Sequence, residues 1–221
     1  MKNIFIIGAT SSIAQAVARR YASQGCNFVL AGRDESHLAS IAEDLKIRGA
    51  KSAHIITCDF NEFTVHANLV ATAWKKLENR IDVALFAHGY LGAQQIAQTE
   101  QVELLKIIST NFVSHVSILN ELSQRMEVAR TGTIAIITSV AGERGRKSNY
   151  IYGASMAAKT TFGDGLRNRL FESGVNVVNL KLGFVDTPMT KQFPKGPLWA
   201  TPQKAGHCIV NAIERGNSTA Y

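Results

Sequence analysis

The sequence predicts an α/β protein with a doubly wound parallel sheet flanked by helices. Short apolar runs alternate with longer amphipathic runs along the whole chain, the order expected of repeated β-α-β units. The length of 221 residues fits a single domain of this class. Apolar residues make up 46% of the chain, which is enough to build one sizeable core.

Six strands are predicted from runs rich in Val, Ile, Leu or Phe that are flanked by Gly, Asp or Ser. These runs cover residues 3–7, 27–31, 53–57, 83–87, 133–138 and 175–180. Helical apolar spacing predicts six helices between and after them, over residues 12–24, 35–48, 62–78, 101–129, 150–172 and 202–215. Residues 191–197 contain Lys, Gly and Pro and are predicted to form a loop within the domain.

Composition and charge argue against several classes of protein. The net charge of +7 comes from basic residues spread over the predicted helices without a nucleic-acid-binding motif, so an anionic cofactor or substrate explains it better than nucleic acid. No apolar run approaches the roughly 20 residues that span a bilayer, and residues 4–7 are too short for a signal-peptide core. We expect a cytoplasmic protein that does not span a membrane.

The three cysteines, Cys26, Cys58 and Cys208, lack metal-ligand spacing. This predicts reduced thiols and no metal site.

A turn rich in small residues follows the first predicted strand. Gly8 comes directly after that strand, and the hydroxyl residues Thr10, Ser11 and Ser12 lead into the first helix. The N–H groups and dipole of a helix start attract phosphate. A tight turn alone would explain these residues equally well, but the five β-α units that follow favour a dinucleotide site.

The second predicted strand ends at Ala31-Gly32-Arg33. A protein that prefers NAD is expected to carry an acid here, which binds the ribose 2′-hydroxyl. Arg33 instead suits a 2′-phosphate, because guanidinium geometry matches phosphate oxygens. The sequence therefore predicts NADP(H), with a solvated arginine at a helix start as the alternative.

Two hydroxyl residues are predicted to converge at the same sheet edge. Ser139 closes the fifth strand and Tyr152 opens a helix, although both residue types also serve as caps or turn residues. A phenol with a pKa of about 10 needs a nearby positive charge to exchange a proton near neutral pH.

The order of these residues closely resembles the short-chain dehydrogenase/reductase family, over about residues 3 to 215. The resemblance implies a single Rossmann-type dinucleotide-binding domain over residues 1–221, working as a homodimer or homotetramer. It implies hydride transfer between a nicotinamide and a carbonyl or secondary alcohol, with Tyr152 exchanging the proton and Ser139 binding the substrate oxygen. Asn111, in Thr110-Asn111-Phe112, resembles the asparagine that bends a helix and holds a water in the proton relay; polar surface is its alternative.

The same resemblance places further residues at the cofactor. Ala87-His88-Gly89 stands where the family has Asn-Ala-Gly, so His88 is interpreted as a cofactor-loop residue, with a catalytic base as the alternative. Val185 and Thr187 would contact the carboxamide, and Asp59 the adenine. The predicted cofactor contacts are Gly8, Thr10, Ser11, Ser12, Ile13, Arg33, Asp59, Phe60, Ala87, His88, Gly89, Gly183, Val185 and Thr187.

The chain departs from the family at one critical position. The family lysine, four residues after the tyrosine, is Met156 here, and a thioether offers neither charge nor donor. Lys159 is the nearby replacement, but it lies about 10 Å beyond Tyr152 along the helix axis, so we do not expect it to act directly. Three interpretations follow from this substitution: a reductase with normal or weakened activity; a binding protein that has lost turnover; and a single-residue change in the cloned DNA or in this gene copy.

The substrate and the end of the chain are the least determined features. Arg144-Gly145-Arg146-Lys147 would edge the substrate mouth, as a phosphate contact or as a solvated basic loop. Together with residues 139–142, 165–170 and 183–189, this loop resembles bacterial reductases of polyprenyl-phosphate-linked keto-pentoses and related envelope-sugar enzymes. The resemblance implies a phosphorylated or lipid-linked sugar as substrate. Residues 218–221 stand where the family has a seventh strand and a substrate-covering tail, so both are expected to be short or absent.

Overall fold

The computed structural model describes all 221 residues and confirms the predicted doubly wound parallel sheet in one domain. Seven strands lie in the order β3-β2-β1-β4-β5-β6-β7, and every pairing is parallel. The winding reverses between β1 and β4, which is where ligands bind in sheets of this type. The strands are β1 (Asn3–Ile7), β2 (Asn27–Gly32), β3 (Ser52–Thr57), β4 (Val83–Phe86), β5 (Thr133–Ser139), β6 (Asn176–Leu182) and β7 (Thr219–Ala220).

Helices cover both faces of the sheet and enclose one apolar core on each side. The helices are α1 (Ser12–Ala22), α2 (Glu35–Ile47), α3 (His66–Lys76), α4 (Gln94–Ala97), α5 (Gln101–Ile108), α6 (Ser114–Ala129), α7 (Tyr150–Leu170) and α8 (Pro202–Glu214). Side chains alternate along a strand, so Ile4 and Ile6 enter the core beneath α1, α2 and α8, whereas Phe5 and Ile7 enter the core beneath α3, α6 and α7.

The predicted helices differ from the observed ones mainly where another type of turn interrupts or opens a helix. The predicted helix 101–129 is divided into α5 and α6 by a five-residue π-helical turn, Ser109–Val113. The predicted helix 62–78 opens with a 3₁₀ turn at Phe63–Val65, and α4 was not predicted. At the end of the chain, β7 has two residues and pairs with β6.

The segment Gln101–Ala129 is long and apolar enough to cross a membrane by length and composition alone. A helix that packs in a protein core passes the same test, and Ile118, Leu119, Leu122 and Met126 of this segment are fully buried beneath the sheet. Packing in the core therefore explains why this segment is apolar.

Candidate active site

A cleft of about 320 Å³ opens at the carboxyl ends of the strands, where the winding reverses. It is lined by every residue that the sequence analysis assigned to the cofactor or to catalysis, from Gly8 at one end to Thr187 at the other. The structure thus brings all of these residues to one site, while their individual roles stay a prediction.

The start of α1 forms the phosphate-binding end of this cleft. Gly8 has a φ of +88°, and a Cβ there would lie 2.5 Å from the backbone nitrogen of His88, so only glycine fits. Ser11 caps α1 by accepting a hydrogen bond from the Ala14 N–H. The first N–H groups of a helix have no partner within the helix, and the first residues of α1, Ser12 and Ile13, line the cleft. This arrangement fits a pyrophosphate group.

Arg33 lies at the edge of the cleft with an exposed side chain that joins no ion pair. The acid that follows it, Asp34, is engaged elsewhere, because it caps α2 by accepting from the His37 N–H at 3.0 Å and the Ser36 hydroxyl at 2.8 Å. The hydrogen bond from the His37 N–H lowers the pKa of Asp34. Asp34 stays ionised but does not line the cleft, whereas Arg33 does, so the side chain that faces the cleft at this corner is positively charged, as a 2′-phosphate requires.

Asn111 lies in the π-helical turn and is completely buried, which excludes the interpretation as polar surface. Its amide donates a hydrogen bond to the carbonyl oxygen of Tyr90 at 2.6 Å, and its oxygen accepts one from the Tyr90 N–H at 2.8 Å. Asn111 therefore fastens the loop after β4 to the helix that crosses beneath it.

His88 is held in this loop by several rings and one hydroxyl. Its Nε2 lies 2.8 Å from the Ser114 hydroxyl, its ring stacks on His115 with centroids 3.7 Å apart, and Phe60 packs against its other side. Burial lowers the pKa of His88 well below its usual range, so the ring is neutral at pH 7. His88 lines this cleft but not the second cavity, described next, that adjoins it. This position favours the interpretation of His88 as a cofactor-loop residue.

A second cavity of about 410 Å³ adjoins the first, and the two share Ser139 and Tyr152. The Ser139 hydroxyl accepts from the Ala141 N–H at 3.1 Å and donates to the Leu182 carbonyl at 3.3 Å, so Ser139 also caps the short turn that follows β5. Burial raises the pKa of Tyr152 to about 12, partly offset by hydrogen bonding with Ser139. The phenol is therefore protonated at neutral pH.

Two residues missed by the sequence analysis support this arrangement. Gln94 of α4 accepts a hydrogen bond from the Ile151 N–H at 3.1 Å, which braces the first turn of the helix that carries Tyr152. His115 lies behind His88 and donates from Nε2 to the His88 carbonyl at 2.9 Å. Neither residue belongs to a sequence motif, and only the tertiary fold reveals these contacts.

Met156 and Lys159 both line the first cleft, one and two turns beyond Tyr152 on the same face of α7. Met156 is buried and brings no charge. Lys159 is 1% exposed, and its amine lies 3.5 Å from Nε2 of His115. The structure therefore places an amine at the cleft despite the substitution at position 156.

Solved structures of similar proteins share the whole fold. A polyketide ketoreductase of actinorhodin synthesis, solved with NADPH, matches with a TM-score of 0.87 and 22% identity over 98% of this chain and 92% of that chain. An NAD⁺-bound xylitol dehydrogenase matches with a TM-score of 0.78 and 21% identity over 83% of this chain and 70% of that one.

Sequence comparisons give the family. An uncharacterized oxidoreductase of Mycobacterium tuberculosis is 33% identical over 99% of this chain and 87% of its own length. A sulfoacetaldehyde reductase of Chromohalobacter salexigens is also 33% identical, over 85% of this chain and 74% of its own length. Residues 2–197 match the family described as short chain dehydrogenase. The protein therefore belongs to the short-chain dehydrogenase/reductase family and is an oxidoreductase.

Proposed function

We propose that the protein is an NADP(H)-dependent oxidoreductase that transfers hydride between the nicotinamide and a carbonyl or secondary alcohol, with Tyr152 exchanging the proton. One observation carries the proposal: the cleft that fits a dinucleotide and the second cavity meet at Ser139 and Tyr152. A substrate in the second cavity would thus touch both hydroxyls beside the cofactor.

The residues of the chain divide the chemistry between them. The cofactor, when bound, supplies or accepts the hydride. Ser139 binds the substrate oxygen, and Tyr152 donates its proton to that oxygen in the reductive direction. Asn111 fixes the loop after β4 and so keeps the cofactor side of the site in position. The role of Asn111 in holding a relay water remains part of this proposal.

The preference for NADP(H) rests on Arg33. Solved neighbours with this fold bind NADPH or NAD⁺, so the fold alone does not decide between the two cofactors. Arg33 at the cleft edge joins no ion pair, while Asp34 is committed to capping α2. This corner therefore favours an additional phosphate over a ribose hydroxyl.

The second cavity supports a substrate that is partly apolar and carries an anionic group. Its wall includes Leu91, Phe184 and Phe193, and Arg146 is the residue of the basic loop 144–147 that lines it. A phosphorylated or lipid-linked keto-sugar meets this description. So does a small anionic aldehyde, the class to which the substrate named for the Chromohalobacter relative belongs.

A binding protein without turnover is the second candidate, and Met156 is the observation that favours it. Burial raises the pKa of Tyr152 to about 12, far from the range in which a phenol exchanges protons easily, and the thioether of Met156 offers no positive charge to lower it. Retention of Ser139 and Tyr152 at the junction of the two cavities favours the enzyme.

The proposal is tested by mixing the purified protein with NADPH and a panel of carbonyl compounds, including phosphorylated keto-sugars, simple ketones and anionic aldehydes. We expect loss of NADPH absorbance with at least one member and none with the Tyr152→Phe variant. Binding of NADPH without turnover of any compound would favour the binding protein.

A cytoplasmic location and a homodimer or homotetramer complete the proposal. All three cysteines are unpaired, which suits a reducing compartment.

The exposed apolar face of α5 supports the oligomer. Val102 and Leu105 on this helix are 80% and 50% exposed, and an exposed apolar helix face is typical of an interface. Light scattering of the purified protein gives the oligomeric state, and a monomer would remove that part of the proposal.

A further inference from the structure

Lys159 occupies a position that no step described above explains. Tyr152, Met156 and Lys159 are spaced by four and then three residues, so their side chains form one stripe on α7. All three line the cofactor cleft. A lysine that is 1% exposed is unusual, and this one faces the cleft meant for an anionic cofactor.

Along the axis of α7, Lys159 lies much nearer to Met156 than to Tyr152. Two residues spaced by three lie about 4.5 Å apart along the helix axis, and side chains of a helix lean toward its N-terminus. The side chain of Lys159 therefore leans back toward the turn that carries Met156. A flexible four-carbon stem can cover an offset of one turn.

The protein itself leaves the amine of Lys159 without a good partner. Lys159 joins none of the ion pairs in the structure. Its nearest polar atom, Nε2 of His115, already donates to the His88 carbonyl, since a carbonyl can only accept. Nε2 of His115 therefore has no lone pair to offer an ammonium group.

The surroundings of Lys159 contain no compensating negative charge. Burial alone lowers the pKa of Lys159 to about 7. The titratable groups beside it are His115 of α6 and His88 of the β4 loop, with Tyr152 on its own helix; burial keeps both imidazoles neutral and the phenol protonated. Acceptors for the amine must therefore come from whatever the cleft binds.

We propose that Lys159 replaces the lysine that is missing at position 156, and that its amine binds the ribose hydroxyls on the nicotinamide side of the cofactor. Ribose oxygens accept hydrogen bonds from an amine or an ammonium group, and they would supply the partners that the protein lacks. This inference rests on the proposed cofactor function, but it does not depend on the substrate or on turnover.

The first test measures the affinity for NADPH of the wild type, Lys159→Met and the exchange variant Met156→Lys/Lys159→Met. Loss of a hydrogen bond from a charged group should weaken binding by roughly ten- to hundredfold in Lys159→Met. The exchange variant should recover most of this loss, because it moves the amine to the family position. Lys51→Met, which removes an exposed lysine that lines neither cavity, is the matched control and should bind like the wild type.

The pH dependence of binding separates a bound amine from general electrostatics. Because the ammonium form binds better, the affinity of the wild type should fall as the pH rises above about 7, and Lys159→Met should lack this component. Comparing the two proteins removes the titration of the cofactor phosphate. Lys159→Gln keeps a donor but cannot titrate, so it provides a second variant without this pH component.

Stability without cofactor gives a readout that is independent of activity. Between about pH 7 and pH 10 the unfolded chain binds more protons at Lys159 than the folded chain. The wild type should therefore be less stable than Lys159→Met near pH 7, and the difference should shrink toward pH 10. A Lys159→Met variant with a lower thermal midpoint throughout this range and unchanged NADPH affinity would show a structural lysine and overturn the inference.

The outcomes also distinguish this inference from the proposed function. If the wild type binds NADPH with an affinity that depends on Lys159 but reduces no carbonyl compound, the inference stands and the enzymatic function fails. If turnover is normal and Lys159→Met binds NADPH as tightly as the wild type, the function stands and the inference fails. A wild type that binds no nicotinamide cofactor refutes both.

Discussion

Gly8 and His88 face each other so closely that a Cβ on Gly8 would lie 2.5 Å from the backbone nitrogen of His88. The two residues belong to the loops after β1 and β4, the strands between which the winding reverses. Gly8 also has a φ of +88°, which residues with a side chain rarely adopt. The close approach of these two loops thus depends on the absence of a side chain, and it shapes the floor of the cleft.

Gly8→Ala should therefore destabilise the protein and abolish cofactor binding. The backbone conformation alone costs about 1–2 kcal/mol for a residue with a Cβ, and displacement of the His88 loop adds to this cost. Gly165→Ala is the control, because Gly165 lies exposed within α7 with nothing within 4 Å of a new Cβ; it should raise the free energy of unfolding by about 0.5–1 kcal/mol. Denaturant unfolding and NADPH titration check both variants. Normal NADPH affinity in Gly8→Ala would show that the loops can separate without harm.

The fold could be predicted where burial imposes a regular pattern. β1 was predicted with its observed bounds, residues 3–7, because its side chains are apolar on both faces of a buried parallel strand. The π-helical turn Ser109–Val113 could not be located from spacing, since the polar residues that open it, Ser109, Thr110 and Asn111, also occur in ordinary α-helices. Helix α4, with four residues, is shorter than the window in which helical spacing can be recognised.

The site could be predicted as far as it follows from strand ends. Carboxyl ends of parallel strands meet at one edge of a sheet, so the position of Ser139 at the end of β5 was enough to predict that it converges there with Tyr152. The contact of Lys159 with His115 joins residues 44 positions apart on different helices, and no local sequence pattern predicts it. Helical spacing gives only the distance of Lys159 from Tyr152 along one helix, whereas burial against a neighbouring helix determines where its amine lies.

Arg33→Ala should selectively weaken NADPH binding. Loss of a charge-assisted contact to the 2′-phosphate is expected to reduce NADPH affinity by roughly ten- to hundredfold, while the affinity for NADH, which lacks this phosphate, changes little. Fluorescence titration with both cofactors measures the effect. Arg20→Ala is a suitable control, because Arg20 is an exposed residue of α1 outside the cleft. An equal loss for both cofactors would mean that Arg33 acts through general attraction rather than by recognising the phosphate.

Tyr152→Phe should abolish most turnover and leave the fold and the cofactor affinity intact. The substitution keeps the ring and deletes the hydroxyl, and general acid catalysis typically contributes about 10²–10⁴-fold. Tyr150→Phe is the matched control: Tyr150 lies in the first turn of the same helix, is 44% exposed and lines neither cavity. Steady-state rates with NADPH and a reactive carbonyl compound, together with thermal midpoints, check the pair. A similar loss of rate in both variants would point to disturbance of α7 instead of a lost proton donor.

The two directions of the reaction should respond differently to pH. Oxidation of an alcohol needs the phenolate of Tyr152 as the base, whereas reduction needs the phenol as the acid. Because burial raises the pKa of Tyr152 to about 12, the phenolate fraction grows about tenfold for each pH unit below that value. The rate of oxidation should therefore climb from about pH 6 to about pH 10 without levelling off, while the rate of reduction should show no loss of activity from deprotonation of Tyr152. Initial rates in both directions, with Tyr152→Phe as the baseline, measure these profiles.

A different outcome would implicate Lys159. If the rate of oxidation levels off near neutral pH in the wild type but climbs throughout in Lys159→Met, then the amine of Lys159 carries a positive charge in the working complex and lowers the pKa of Tyr152. No other cation of α7 lies on the stripe that faces the cleft.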